Sequence, residues 1–225
     1  MSNQLQSDFD KVMKISKISE EEILVKKNYL NKFIESGFPN RKQEDWKFLD
    51  ISQIIKKNIG DLNFFNDYSK SNKIDSSIFV DGLEHNKIVF INGRIEKIDF
   101  NYEDQNKIEI SDENKKEISF DYKNSLIDLN NAFTNRVFKI FIKKNYSLKK
   151  PLIIYHSTNN KIKSTNINLR LDFELSENSC LRLIDFFTNK TAKNFINILY
   201  NFNLGKDAIL KNYKIDKFKN DNLKY

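Results

Sequence analysis

Between Ile167 and Leu175 the chain alternates with period two. Ile167, Leu169, Leu171, Phe173 and Leu175 fall on one side, and Asn168, Arg170, Asp172 and Glu174 on the other. Successive side chains of a strand point to opposite faces, so the pattern predicts a strand with one buried and one wet face. Further strands are predicted at 181–187, 195–204 and 208–215. They recur roughly every 12–16 residues, with short polar connections and no helices between them. The turns Ser176-Glu177-Asn178-Ser179 and Gly205-Lys206-Asp207 carry no strong hairpin signal. Regular short strands of this kind fit a β-sandwich or a β-helix, and periodicity does not choose between them.

Upstream the period is helical. Leu5, Phe9, Val12 and Met13 lie at helical spacing. A second helix starts at Ser19, where Ser-Glu-Glu-Glu predicts a capping box between Ser19 and Glu22. Ile23, Leu30, Phe33 and Ile34 form its apolar stripe, and Gly37 is expected in the left-handed position at its end. A short helix is expected from Asp50 through Ile51, Ile54 and Ile55, followed by a polar linker to about Ser77. The chain therefore divides into a helical region with linker, 1–77, and a β-rich region, 78–225. In the latter, Asn92-Gly93 between 88–91 and 95–98 predicts a two-residue hairpin, because both turn positions need positive φ. Leu126, Leu129, Asn130 and Phe133 predict a helical turn before a strand at 137–142, and Pro151 opens the next strand at Leu152.

At 225 residues, with 39% hydrophobic and 13% aromatic side chains, the chain can bury a substantial core. Its net charge of +7 raises the question of nucleic acid, but 31 acidic residues are scattered among 38 basic ones. Lys56-Lys57, Lys143-Lys144 and Lys149-Lys150 are short clusters, read as solvated surface. One cysteine, Cys180, excludes an internal disulfide framework and suits a reducing compartment. No signal peptide or membrane-length apolar run is visible, so a soluble cytoplasmic protein without membrane or nucleic-acid partners is expected.

The stretch from Gly37 to Asp50 holds the sole tryptophan and one of two prolines. In it, Arg41, Glu44, Trp46 and Lys47 resemble the R-x-x-E-x-W-K signature of the SufB/SufD family, scaffold proteins of iron–sulfur cluster assembly. As a structural element, Trp46 reads as a plug into a core. Phe90-Ile91-Asn92-Gly93-Arg94 is similar to the family's "vfvNGr" hairpin, and Leu129-Asn130-Asn131-Ala132-Phe133 to its "LN-x-AF" element. Pro151-Leu152-Ile153-Ile154-Tyr155-His156 resembles its Pro-led strand. Phe202 to Leu210 resembles its repeated "x-L-G-x-x-A-x-L" coil. The blocks occur in the family's order, and the helical start with a long run of strands is closer to SufD than to SufB. The resemblance implies a right-handed parallel β-helix behind a helical N-terminal region, truncated at its C-terminal end. It implies a non-catalytic scaffold subunit acting with a SufB-like scaffold and a SufC-like ATPase, which docks on a C-terminal region that has no counterpart here. The cluster is then cargo assembled transiently by the complex.

Conventional iron–sulfur sites use four thiolates, some replaced by histidine. This chain has one cysteine and two histidines, His85 and His156, far apart in sequence. No catalytic, cofactor-binding or metal residue is therefore assigned, and no cofactor is expected to stay bound. Cys180 reads as a buried small hydrophobe, His156 as a hydrogen-bonded structural residue at a strand end, and His85 as solvated. Two alternatives are a β-helical carbohydrate-active enzyme and a basic nucleic-acid-binding protein. For the first, Asp172 and Glu174 share a strand face as a carboxylate pair requires, although both read as ordinary outward residues.

Overall fold

The computed structural model describes residues 2–16, 18–66, 72–114, 124–134, 136–159, 161–189 and 193–218. Helices α1 (Ser2–Ile15), α2 (Glu20–Ser36) and α3 (Ile51–Asn58) open the chain. As the spacing predicts, α1 buries Leu5, Phe9, Val12 and Met13, and α2 buries Leu30 and Phe33. The capping box at α2 is complete: the Ser19 N–H donates to the Glu22 carboxylate at 2.8 Å, and the Glu22 N–H to Ser19 Oγ at 3.2 Å. Gly37 takes φ 67° but ψ −170°, so the backbone leaves the helix extended rather than left-handed helical. Its N–H still reaches Phe33 O at 2.7 Å, and the turn brings Phe38 edge-on to Phe33, 5.1 Å between centroids.

Two sequence expectations fail in this region. Trp46 sits on a short 3-10 turn, Glu44–Trp46, and is half-buried at the margin of the helical core; Phe48 beside it is 86% exposed. It is not a plug. The polar stretch after α3 is not a free linker as far as Asn66: Leu62 and Phe64 are buried among the helices. Between them Asn63 bridges in parallel to Thr165. Of the rest of that stretch, 67–71 lie outside the described residues, and Ile74 packs against a second apolar cluster.

Among the described residues nine strands form two sheets. One is ordered β2-β1-β5-β7-β9, from Arg94–Asp99, Asn86–Ile91, Leu152–Thr158, Cys180–Asn189 and Ile209–Phe218. The other is β3-β4-β6-β8, from Ile108–Asn114, Arg136–Ile142, Asn166–Leu175 and Phe195–Leu204. From β5 onward each strand joins the sheet opposite to its predecessor's, and β4/β6, β5/β7, β6/β8 and β7/β9 pair in parallel. Antiparallel pairing is confined to β1/β2 and β3/β4. The predicted hairpin lies in the first of these, with Asn92 at φ 53° and Gly93 at φ 81°. Strand β3 was not legible from periodicity, since only Ile108 and Ile110 alternate before an acidic run.

Alternating apolar residues fill the space between the sheets. Ile88, Phe90, Leu152, Ile154, Leu181 and Leu183 of one face Ile140, Ile142, Ile167, Leu169, Leu171 and Phe173 of the other. The connections stack as well as the strands. Asn145, Asn178 and Asp207, one in each of three successive turns, have φ of 57°, 57° and 55°. The Asn145 N–H donates to Glu177 O at 2.9 Å, and the Asn178 N–H to Lys206 O at 3.0 Å. This stacking explains Gly205: a Cβ there would lie 2.8 Å from the backbone N of Glu177.

Helix α4 (Ser125–Phe133) joins the two halves of the fold. Leu129, Ala132 and Phe133 pack into the helical core. The Asn130 amide turns the other way and donates to Leu169 O at 2.8 Å and Asn197 O at 3.0 Å, pinning the helix across β6 and β8. That cover corrects the expectation of a wet face on β6, because Asn168 is 8% and Arg170 only 1% exposed.

Candidate functional site

The outer face of the five-stranded sheet carries an apolar stripe set by register. Val89, Tyr155, Phe186 and Ile215 are successive partners across β1, β5, β7 and β9, and Ile153, Ile184 and Tyr213 form the adjacent row. Ile74, Ile78, Phe79 and Val80 cover this stripe over the first three strands, forming a separate small core. They are fastened by His85, buried at 2% exposure, whose Nδ1–H donates to Leu83 O and whose Nε2 accepts from the Tyr155 hydroxyl, both at 2.6 Å. The Val80 N–H in turn donates to that hydroxyl at 3.1 Å. Burial holds the His85 pKa below its ordinary value, which suits this neutral tautomer. His85 is thus not solvated, as its turn-like sequence suggested.

The cover ends before β9. Ile209, Tyr213 and Ile215 are 51%, 56% and 44% exposed, and Leu204 at the end of β8 is 46% exposed. β8 and β9 are the last strands of their sheets among the described residues, so each presents an open edge beside these apolar side chains. Together they make an end face suited to strand addition or to contact with a second apolar surface.

A second feature lies inside the stack. His156 stands mid-strand in β5, 2% exposed, between the rings of Phe90 and Phe187 with centroids 5.7 and 4.6 Å away. Its Nε2 lies 3.2 Å from Asp185 Oδ1 and 3.3 Å from the Tyr200 hydroxyl, which itself donates to the same Asp185 oxygen. Burial, reinforced by the Asp185 charge, drives the Tyr200 pKa well above its ordinary value and keeps the phenol a donor. The expectation of a hydrogen-bonded structural histidine holds in kind, though not at a strand end. Asp185 and Tyr200 were missed. The available signal was an acid at an inward position of a predicted strand, between Leu183 and Phe187. The cavity adjoining His156 is about 10 Å³, water-sized at most.

The remaining candidates are kept apart by the fold. Cys180 is half-buried rather than enclosed and opens β7 opposite Ile209. His156 is opposite Phe187, seven residues further along, roughly 20 Å away at about 3.3 Å per residue. No group of three or more His, Cys, Asp or Glu side chains among the described residues could hold a metal. Asp172 is forked by Arg170 at 3.0 and 3.1 Å, and Glu174 is paired with Lys139 at 2.9 Å. The basic clusters are partly matched too: Lys143 with Glu109, Lys144 with Glu177 and Lys150 with Glu84, at 2.7, 2.7 and 2.6 Å.

No helix among the described residues is long and apolar enough to cross a membrane. Compared with known proteins, the chain matches no family model and no curated protein.

Proposed function

We propose that the chain is a non-catalytic scaffold subunit of a Suf-type iron–sulfur cluster assembly complex. In this reading its paired sheets are the first coils of the right-handed parallel β-helix of the SufB/SufD family, and its partners are a SufB-like scaffold and a SufC-like ATPase. The observation that carries it is the regular alternation of β4 to β9 between two sheets with parallel pairing two strands along, as expected of stacked coils. The sequence blocks that resemble the family have structural duties consistent with this reading. Asn92-Gly93 turns the first hairpin, Asn130 pins α4 to two coils, and Gly205 permits close stacking of turns. The cluster is cargo here, and this chain contributes form rather than ligands.

The end face of β8 and β9 is where a SufB-like scaffold would add. Gel filtration of the chain with a purified SufB-like scaffold tests this. A stoichiometric complex is expected, lost when Tyr213→Glu and Ile215→Glu are combined while circular dichroism stays unchanged. Failure to form any complex with the scaffold would overturn the proposal.

A further inference from the structure

We propose that the cleft between α1 and the strand stack binds a compact multivalent oxyanion, a small molecule carrying two or more phosphate or carboxylate groups. The cleft encloses about 540 Å³, within the range of roughly 300–1,000 Å³ typical of small-molecule sites. Four cations reach it from separate segments: Lys11 of α1, Arg94 at the start of β2, and Lys161 and Lys163 of the β5–β6 connection. Among the described residues a single carboxylate lines it. That is Asp8, 2% exposed, which accepts the Phe64 N–H and the Lys11 ammonium, both at 3.0 Å, so its charge and that of Lys11 offset each other.

Arg94 lies 3.7 Å from Glu96, whose carboxylate oxygen also accepts from the Asn72 N–H and amide at 2.9 and 3.0 Å. The Lys161 and Lys163 ammonium groups make no ion pair among the described residues. Lys143, Lys144 and Lys150, by contrast, each meet an acid. Like charges held together in a concave wall focus a positive potential that one monovalent anion neutralises poorly and a multivalent one well.

The cleft is also stiff before any ligand arrives. The Asn66 amide donates to Asn92 O at 2.8 Å, the Asn92 amide to Asn159 Oδ1 at 2.8 Å, and the Asn159 N–H back to Asn92 Oδ1 at 2.9 Å. The Asn159 amide closes the network on Asn72 Oδ1 at 3.0 Å. Side chains already locked to each other lose little freedom on binding, which favours affinity at this small area. Phe65 and Ile162 supply an apolar flank for the carbon body of an organic anion.

Calorimetric titration of the whole chain at fixed ionic strength, with inorganic pyrophosphate and separately with citrate, tests the proposal. Saturable one-to-one binding of at least one of them is expected, and the tighter of the two names the ligand's acid group. Lys161→Glu combined with Lys163→Glu should weaken it at least tenfold, whereas Lys143→Glu with Lys144→Glu should leave it unchanged. Absence of binding by both probes overturns the proposal, as does equal weakening by the two double variants. So does tight binding of a single-stranded oligonucleotide that neither probe displaces. The site does not rest on the scaffold reading, and the titration uses no partner protein, so the two can fail separately.

Discussion

Lys26 of α2 is 5% exposed, and its ammonium donates to the carbonyls of Asn131 and Thr134 at the end of α4. Burial, opposed by the charge of Glu22, brings its pKa from 10.5 down to about 8. A depressed lysine is charged in the unfolded chain and neutral in the folded one throughout the interval between those two values. The unfolded state therefore binds the extra proton, and stability rises with pH across that window. At about 1.4 kcal/mol per pH unit, the full interval is worth about 3 kcal/mol. Below pH 8 both states are protonated and the desolvation penalty is constant. Lys26→Met removes the titrating group, keeps the apolar stem, and leaves the Asn131 and Thr134 carbonyls without this donor.

Urea unfolding of both proteins at pH 7, 8, 9 and 10 isolates the effect, because titration common to both chains cancels in the difference. Wild type should gain on Lys26→Met by about 1.4 kcal/mol per unit above pH 8. Parallel profiles across the series would show that Lys26 does not titrate in this window, and the argument from its burial would be wrong.

Gly205→Ala should destabilise the protein by about 1–3 kcal/mol, because its Cβ meets the backbone of the turn below; an unchanged urea midpoint would refute the stacking argument. Glu103 is 8% exposed and accepts from the Asn86 amide, the Tyr146 hydroxyl and the Lys149 and Lys150 N–H groups at 2.8, 2.7, 3.0 and 3.0 Å. Burial raises its pKa, but these bonds together outweigh burial and the net shift is downward. Its contribution is accordingly present above the unfolded pKa near 4.5 and is lost as pH falls through the lower folded value. Glu103→Gln should cost about 1.5–3 kcal/mol at pH 7 and less in acid, and a cost independent of pH would count against a charged acceptor. Anaerobic reconstitution with iron and sulfide followed by desalting should leave a colourless protein. Near-stoichiometric iron and sulfide that Cys180→Ser abolishes would make Cys180 a ligand.

Features set by neighbours in the chain were legible without coordinates. The Ser19–Glu22 capping box, the Asn92-Gly93 turn and the strand at 195–204 depend on side chains within a few residues of one another, and all three appear as read. Period two likewise predicted which residues of β6 share a side. It did not say what covers that side. Arg170 is enclosed, whereas Tyr213 and Ile215 on β9 are bare. Trp46 and Leu62 went wrong in opposite directions for the same reason, since neither a large ring nor a polar neighbourhood determines burial by itself. The His156–Asp185–Tyr200 trio, the fastening of His85 by Tyr155 and the close approach at Gly205 join residues 15 to 70 positions apart. Such neighbours are created when strands stack in register, because each pairing brings together side chains whose separation along the chain is set by the whole intervening turn and strand. Local chemistry decides how a segment is shaped, and stacking decides what it touches.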